Sequence, residues 1–354
     1  MKRHDKITPE GMRDYLFDDV QAYDSVRDAL ANVFELHGYR PVATPLLEFH
    51  DVFRRHAHGW LADRMYHTTD SRGRLLVLRP DNTLPIARIA ATHLLREPLP
   101  LRLCYHQSVF RRSQVYGGHA DESMQSGVEL LGAHGMDADL EILSCAVQAL
   151  RAAGAQGFRI ELGHAEIFSC LADSLRAVES LSCLADSLCA VESLSCLADS
   201  LCAAENLEAG ETLRDELASA IESKNTPALK ALLAPHGENP AAKALLALPT
   251  LFGGEEVLQR ARELFSAPCA IAALDYLAEL FAKLKAQGLG DCIDIDLSLV
   301  HGQHYYTGLV FRGFIAGSGA TVLAGGRYDN LMAEFGRDAA AVGFAIEVDA
   351  LVNA

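Results

Sequence analysis

The chain lacks long apolar runs. Its 354 residues contain no stretch of about 18 uncharged apolar residues, so the sequence predicts no membrane-spanning helix. The first residues, Met1 to Ile7, are followed by no apolar segment of the length that a secretory signal requires. Because half of the residues are nevertheless apolar, the composition predicts a globular protein with a large core. Since the sequence predicts neither a secretory signal nor a membrane-spanning helix, we expect the protein in the cytoplasm.

Cysteine pairs with the spacing of metal ligands are also missing. The nine cysteines include no CxxC pair, and five of them lie in a single repeat. We therefore predict neither a zinc site nor any other metal or cofactor. In a cytoplasmic protein the cysteines are expected to be reduced thiols.

Basic residues are scarce. The 31 lysines and arginines stand against 47 aspartates and glutamates, which gives a formal net charge of -16 at pH 7. Nucleic-acid binding depends on neutralising phosphates, and an acidic surface opposes it over long range. The charge balance therefore argues against tRNA as a partner.

Local patterns predict both helices and strands. Apolar residues recur at helical spacing before Gly38, which suits a helix C-terminus, and Thr83 is predicted to cap the start of another helix. Leu101 to Arg111 and Met124 to Leu131 are predicted to form an antiparallel pair of strands. Strands and helices in this order indicate an α+β protein.

A long helical segment divides the predicted strands. Residues 163–287 are rich in alanine, leucine and glutamate and poor in β-branched residues. We therefore predict a core of residues 1–162 and 288–354, with residues 163–287 as a helical insertion.

The insertion contains an internal repeat. The segment Ser169 to Leu175 recurs from Ser182 and again from Ser195, which is a period of 13 residues. Since an α-helix has 3.6 residues per turn, one straight helix cannot turn all three copies toward the same face. Solenoid units are longer, at about 20 to 50 residues. We interpret the repeat as a duplication tolerated on the surface.

Five short motifs lie in the order in which histidyl-tRNA synthetases carry them. They are Leu78 to Thr83, Val109 to Arg111, Gln125 to Glu129, Tyr305 to Gly308 and Ala324 to Asp329. With them, the chain outside the insertion resembles that family of class II synthetases. The resemblance implies an antiparallel sheet with flanking helices.

The same resemblance implies a dimer and a pocket for free histidine. Tyr39 to Glu48 resembles motif 1, the segment that forms the dimer interface in class II synthetases. Asp81, which replaces the usual glutamate of the family, matches a residue that holds the ammonium group. Glu129 and Tyr306 match the residues that face the imidazole, where a carboxylate selects the tautomer of the ring. The predicted histidine-binding residues are Asp81, Thr83, Arg111, Gln125, Glu129, Tyr305 and Tyr306.

Two arginines that act on the adenylate in synthetases have no counterpart in this sequence. His301 and Ala350 stand at their positions, while Ser113, His119 and Asp121 replace other polar residues of motif 2. Preorganised donors at such a site contribute about 3 kcal/mol each to stabilising the transition state. We therefore expect no useful aminoacylation and no catalytic residue.

A retained amino-acid pocket without this chemistry is typical of a regulator. The sequence also ends at Ala354 without a segment that resembles an anticodon-binding domain. In these respects it resembles the regulatory subunits of ATP phosphoribosyltransferase. The resemblance implies a homodimer within a larger hetero-oligomer. There it would activate the short catalytic subunit and relay feedback inhibition by histidine in the first step of histidine biosynthesis.

Two alternatives stay open at the level of sequence. A histidyl-tRNA synthetase, or a related amino-acid-activating enzyme, would exchange pyrophosphate into ATP in a histidine-dependent reaction. A protein that binds or modifies tRNA would need a basic face, which the charge balance disfavours.

Overall fold

The computed structural model describes residues 5–54, 64–112, 120–175, 212–300, 305–316 and 321–352. Within these ranges the strands are β1 (Arg40–Pro41), β2 (Leu47–Phe49), β3 (Tyr66–Thr69), β4 (Leu75–Leu78), β5 (Leu101–Phe110), β6 (Glu122–Leu131), β7 (Arg159–His164), β8 (Phe252–Gly253), β9 (Ile293–Asp296), β10 (Leu309–Phe314), β11 (Thr321–Arg327) and β12 (Ala341–Glu347).

Helices flank these strands in the described part of the chain. They are α1 (Asp18–Leu36), α2 (His50–Phe53), α3 (Thr83–Thr92), α4 (Gly135–Ala152), α5 (165–175), α6 (212–222), α7 (Thr226–Leu233), α8 (Pro240–Ala247), α9 (Glu256–Leu264), α10 (Pro268–Ala286), α11 (Leu331–Glu334) and α12 (Val348–Val352). Short 3-10 turns cover Ala234–His236, Leu248–Thr250 and Gly290–Cys292. None of the described helices is long and apolar enough to cross a membrane.

A nine-stranded sheet organises the fold. Its strand order is β1-β5-β6-β12-β11-β10-β7-β9-β8, and a separate three-stranded sheet has the order β2-β4-β3. The run from β5 to β7 is antiparallel, while β1 and β9 join it in parallel. The predicted α+β class with an antiparallel sheet and flanking helices is thus confirmed.

Each face of the large sheet is covered by its own set of apolar side chains. On one face, Phe34 of α1 and Leu143 of α4 belong to the larger buried cluster. On the other face, Ile86 of α3 and Met332 of α11 belong to a second cluster with Tyr105 of β5. Because both faces are covered, the central strands are apolar on both sides instead of strictly alternating.

The predicted local elements around this sheet are largely confirmed. Strands β5 and β6 pair in antiparallel register, with Leu101 opposite Leu131. Helix α1 ends at Leu36, and Gly38 follows with a φ of 80°, a left-handed conformation that glycine adopts without a steric penalty. The segment after it is a strand only at Arg40–Pro41, since proline donates no hydrogen bond to a ladder.

The predicted cap of α3 is wrong. The helix begins at Thr83, but the side chain of Asp81 accepts the hydrogen bond from the Leu84 N–H at 3.0 Å. The Thr83 hydroxyl instead donates to Glu129 at 2.9 Å. Thr83 thus contributes its hydroxyl to a hydrogen bond with β6 instead of to a helix cap, because β6 places a carboxylate within its reach.

The predicted insertion is packed closely against the rest of the chain. Its residues Leu245 and Leu274 share one buried cluster with Ile160 of β7, and β8 pairs with β9 at the edge of the large sheet. The division into a core and an insertion stays a prediction. The second and third copies of the repeat lie outside the described residues; the first, Ser169 to Leu175, is in α5.

The expectation that all cysteines are reduced is wrong for one pair. A disulfide joins Cys170 in α5 to Cys269 in α10, with Cα atoms 6.1 Å apart. The two residues are separated by 99 positions, so sequence spacing could not predict that these helices bring them together. Among the described residues Cys104, Cys145 and Cys292 are free.

Candidate functional site

A cavity of about 920 Å³ lies over the sheet face formed by β6, β12, β11 and β10. This volume is typical of pockets that hold small molecules. Helices α5 and α6 form its far wall. All seven predicted binding residues line it: Asp81, Thr83, Arg111, Gln125, Glu129, Tyr305 and Tyr306.

Glu129 is the most deeply buried carboxyl group of this cavity. Only 1% of the residue is exposed. One carboxyl oxygen accepts the hydrogen bond from Thr83 at 2.9 Å, and the other accepts one from the hydroxyl of Tyr328. Burial raises its pKa to about 8, although both hydrogen bonds act to lower it. A carboxyl group with this pKa is mostly protonated at neutral pH.

Two glycines make room for the polar groups of the site. A Cβ on Gly343 would lie 1.9 Å from a carboxyl oxygen of Glu129, and one on Gly326 would lie 2.6 Å from the ring of Tyr306. Gly326 of β11 and Gly343 of β12 are opposite each other in the sheet. Because these two positions carry no side chain, the carboxyl group of Glu129 and the ring of Tyr306 can lie close to the backbone of β12 and β11.

Gln125 is oriented by partners on both of its amide atoms. Its Oε1 accepts from the side chain of Asn82 at 3.2 Å, and its Nε2 donates to Glu347 at 2.6 Å. Asp81 lies nearby at the start of α3, where its carboxylate caps the helix. These oxygens give the cavity an acceptor-rich side, which suits an ammonium group.

Arg111 is held at the cavity wall by its neighbours. Its Nε donates to the carbonyl oxygen of Pro80 at 2.6 Å, and its Nη1 is 3.6 Å from a carboxylate oxygen of Glu347. The positive charge of this arginine is therefore already opposed by a carboxylate. Sequence reasoning did not place Glu347 in the site, since the residue carries no signal beyond its position at the end of β12.

Three tyrosines lie close together at the Glu129 end of the cavity. The ring centroids of Tyr305 and Tyr306 are 4.9 Å apart, and those of Tyr305 and Tyr328 are 5.8 Å apart. Burial raises the pKa of all three hydroxyls, so they remain protonated donors. Tyr328 was absent from the predicted binding residues, although it belongs to the Ala324 to Asp329 motif.

The arginine of the Ala324 to Asp329 motif stabilises the fold and does not contribute to the cavity. Arg327 is buried, and its Nε donates to Asp139 of α4 at 3.0 Å. Its Nη1 also contacts Asp329 at 3.1 Å. It therefore fastens α4 to the sheet and does not line the cavity.

The positions expected to have lost their catalytic groups lie in different surroundings. Ala350 is in α12 and packs against the larger apolar cluster, while Asp121 accepts a hydrogen bond from the hydroxyl of Tyr66. His301, Ser113 and His119 lie outside the described residues. Within the described ranges, no group of three or more His, Cys, Asp or Glu side chains could hold a metal ion.

Comparison with known proteins agrees with this architecture. The profile of the histidyl-tRNA synthetase family matches residues 11–193 and 193–351. An ATP phosphoribosyltransferase regulatory subunit of Clostridium acetobutylicum is 36% identical over 353 residues, which are 99% of this chain and 79% of that protein. One from Symbiobacterium thermophilum is 41% identical over 347 residues, or 98% of this chain and 79% of that protein.

A solved structure is similar along the same length. It is described as an ATP phosphoribosyltransferase regulatory subunit/histidyl-tRNA synthetase from Bacillus halodurans, with 29% identity and a TM-score of 0.81. The match covers 99% of this chain and 84% of that one. The chain therefore belongs to the ATP phosphoribosyltransferase regulatory subunits, which share the histidyl-tRNA synthetase fold.

Proposed function

We propose that this chain senses histidine and activates the short catalytic subunit of ATP phosphoribosyltransferase in the first step of histidine biosynthesis. Histidine in the cavity would lower the activity of the assembled complex. The names of the relatives support a partnership with the catalytic subunit. The cavity supports histidine as the effector.

One observation carries this choice of effector. The carboxyl group of Glu129 is buried between the hydroxyls of Thr83 and Tyr328. An imidazole offers one N–H and one lone pair near neutral pH. With a pKa of about 8, Glu129 can share a single proton with such a ring. The carboxyl group and the imidazole together then carry no net charge, so binding leaves no unpaired charge in the buried cavity. Few side chains other than histidine present this combination.

The opposite side of the site suits the rest of an amino acid. Asp81 and the amide oxygen of Gln125 provide acceptors for the ammonium group, and Arg111 provides a cation for the carboxylate. In this arrangement Glu347 holds Arg111 in place until the ligand carboxylate arrives.

A synthetase reaction is poorly supported by the same residues. Arg111 is already paired with Glu347, and Ala350 presents a methyl group to an apolar cluster instead of a guanidinium to a phosphate. We therefore infer that the chain does not activate histidine. Histidine-dependent exchange of pyrophosphate into ATP by the purified chain would favour the synthetase reading over ours.

The outer face of the small sheet supports a homodimer through the Tyr39 to Glu48 region. In that sheet Leu47 is opposite Leu78, and Phe49 is opposite Leu76, so these four side chains share one face. Leu47 and Phe49 are 43% and 42% exposed. A contiguous apolar face of this kind is typical of a subunit interface.

Calorimetric titration with histidine tests the effector site. Glu129→Gln keeps the shape of the side chain but cannot carry a negative charge. A hydrogen bond to a charged group contributes about 1.5–3 kcal/mol, so the affinity should fall roughly 10- to 150-fold. Glu141→Gln is the matched control, because Glu141 pairs with Arg102 and does not line the cavity.

Activity of the reconstituted complex tests the regulatory role. The catalytic subunit should form phosphoribosyl-ATP faster with the chain present, and histidine should reduce this rate. Glu129→Gln should retain the activation and lose most of the inhibition. Equal histidine affinity in both forms, or joint loss of activation and binding, would contradict the proposal.

A further inference from the structure

Glu347 brings a second carboxylate to the place where the ligand carboxylate is expected. The residue ends β12 and lies opposite Gln125 of β6 in the sheet. Its side chain lines the cavity and is 25% exposed. Its Oε1 is 3.6 Å from Nη1 of Arg111, the cation that we assign to the carboxylate of histidine. A ligand carboxylate on Arg111 would therefore lie beside another negative charge.

The contact between Glu347 and Arg111 is electrostatic. A distance of 3.6 Å between Oε1 and Nη1 is longer than an N–H···O hydrogen bond, which spans about 2.7–3.2 Å. The Nε of Arg111 donates to the carbonyl oxygen of Pro80, which orients the guanidinium at the cavity wall. Glu347 thus weakens the positive potential around Arg111, and it does so by its charge instead of by a hydrogen bond with Nη1.

Glu347 contacts the end of Gln125 that does not bind the ligand ammonium in our proposal. The Nε2 of Gln125 donates to Glu347 at 2.6 Å, whereas the Oε1 of Gln125 accepts from Asn82 at 3.2 Å. The amide oxygen that would accept from the ammonium is therefore at the other end of the amide from Glu347. Asp81, the second acceptor, lies at the start of α3. Of the two charged groups of an amino acid, the carboxylate is the one whose binding Glu347 should affect most.

The size of the cavity does not decide which anion reaches Arg111. Its volume of about 920 Å³ is typical of sites for ligands larger than one amino acid. A phosphate monoester carries a charge of about -1.5 to -2 at pH 7, and arginine is a preferred partner of phosphate. Without an opposing charge, Arg111 would therefore bind a phosphate more strongly than a carboxylate. The reaction proposed for the complex uses and forms phosphate esters, so a histidine sensor there requires the opposite preference.

We infer that Glu347 is a specificity-determining residue, which makes the cavity select a carboxylate over a phosphate at Arg111. The inference depends on the histidine site proposed above. Glu347 repels each negative charge that a ligand brings to Arg111, and this repulsion grows with the charge of the ligand group. It is absent for a hydroxyl group, moderate for a carboxylate and largest for a phosphate. Glu347 therefore lowers the affinity for histidine, but it lowers the affinity for a phosphate ester more.

Three ligands that share the imidazole ring and the ammonium group test the inference in the full chain. L-Histidinol has a hydroxymethyl group in place of the carboxylate, L-histidine has the carboxylate, and L-histidinol phosphate has a phosphate monoester. Glu347→Gln keeps the size of the side chain and can still accept from Gln125, but it removes the charge. Repulsion between like charges in this partly exposed site should change the affinity roughly 5- to 15-fold for each ligand charge.

Calorimetric titration of the unmodified chain and of Glu347→Gln gives an affinity ratio for each ligand. The substitution should leave histidinol binding nearly unchanged, strengthen histidine binding roughly 5- to 15-fold and strengthen histidinol phosphate binding roughly 20-fold or more. Glu347→Asp keeps the charge and should keep the preference for histidine over histidinol phosphate.

Glu222→Gln is the matched control for the loss of one charge. Glu222 lines the same cavity on α6, but its ion pair is with Arg312, at 3.6 Å. This variant removes the same charge from the cavity at a site away from Arg111. It should therefore change all three affinities by similar and small factors.

The outcomes separate the inference from the function on which it depends. If Glu347→Gln binds all three ligands as the unmodified chain does, or binds all three less tightly by one common factor, the inference is overturned and the histidine site stands. Tighter binding of histidinol phosphate than of histidine by the unmodified chain also overturns it, and this comparison requires no variant. If the unmodified chain binds none of the three ligands, the proposed histidine site is wrong and the inference falls with it.

Discussion

Replacing Glu129 by glutamine should change how the stability of the protein depends on pH. Burial raises the pKa of Glu129 from 4.5 to about 8 in the folded chain. A carboxyl group with a raised pKa contributes fully to stability below pH 4.5, where it is protonated in both states. Its contribution is lost as the pH rises through about 8. Glutamine does not titrate, so the variant escapes this loss.

The size of the effect follows from the pKa difference. Each pH unit between the two pKa values is worth roughly 1.4 kcal/mol. Between pH 6 and pH 8 the unmodified chain should therefore lose about 2–3 kcal/mol relative to Glu129→Gln. The difference should level off above pH about 8, where Glu129 is ionised in both states.

Urea unfolding followed by circular dichroism at half-unit steps from pH 6 to pH 9 measures this difference. Glu141→Gln is the control, because Arg102 lowers the pKa of Glu141 although burial acts to raise it. Its difference curve against the unmodified chain should be flat over this range. A flat curve for Glu129→Gln as well would mean that Glu129 is ionised in the folded chain at neutral pH, and the burial argument would be refuted.

Three further predictions concern other parts of the molecule. Tyr328→Phe removes a donor to Glu129 and should weaken histidine binding roughly 5- to 10-fold by calorimetry; an unchanged affinity would remove Tyr328 from the site. Leu47→Glu combined with Phe49→Glu should convert the proposed homodimer to monomers in sedimentation velocity, whereas a monomeric unmodified chain at micromolar concentration would contradict the dimer. Deletion of residues 182–194, one copy of the repeat, should change the melting temperature by only a few degrees and leave activation intact; a large loss of stability would show that the repeat packs on the core.

Much of the fold could be predicted because its signals are local. The helix that ends before Gly38 and the pair of strands β5 and β6 are confirmed, since each depends on periodicity and turn residues within a short stretch. The five ordered motifs, which resemble those of histidyl-tRNA synthetases, then identified seven residues that line one cavity in the structure. Residue identity and order along the chain were sufficient for these predictions.

The chemical character of the site was decided by tertiary structure. Thr83 and Tyr328, which bond to Glu129, are 46 and 199 residues away from it in the sequence. The depth of burial that raises the pKa of Glu129, and the carboxylate of Glu347 beside Arg111, also depend on strands that meet only in the folded sheet. Residue types and their order could therefore be read from the sequence. The hydrogen-bond partners of Glu129, its burial and the carboxylate beside Arg111 could not be read from it, because they arise when distant segments come into contact.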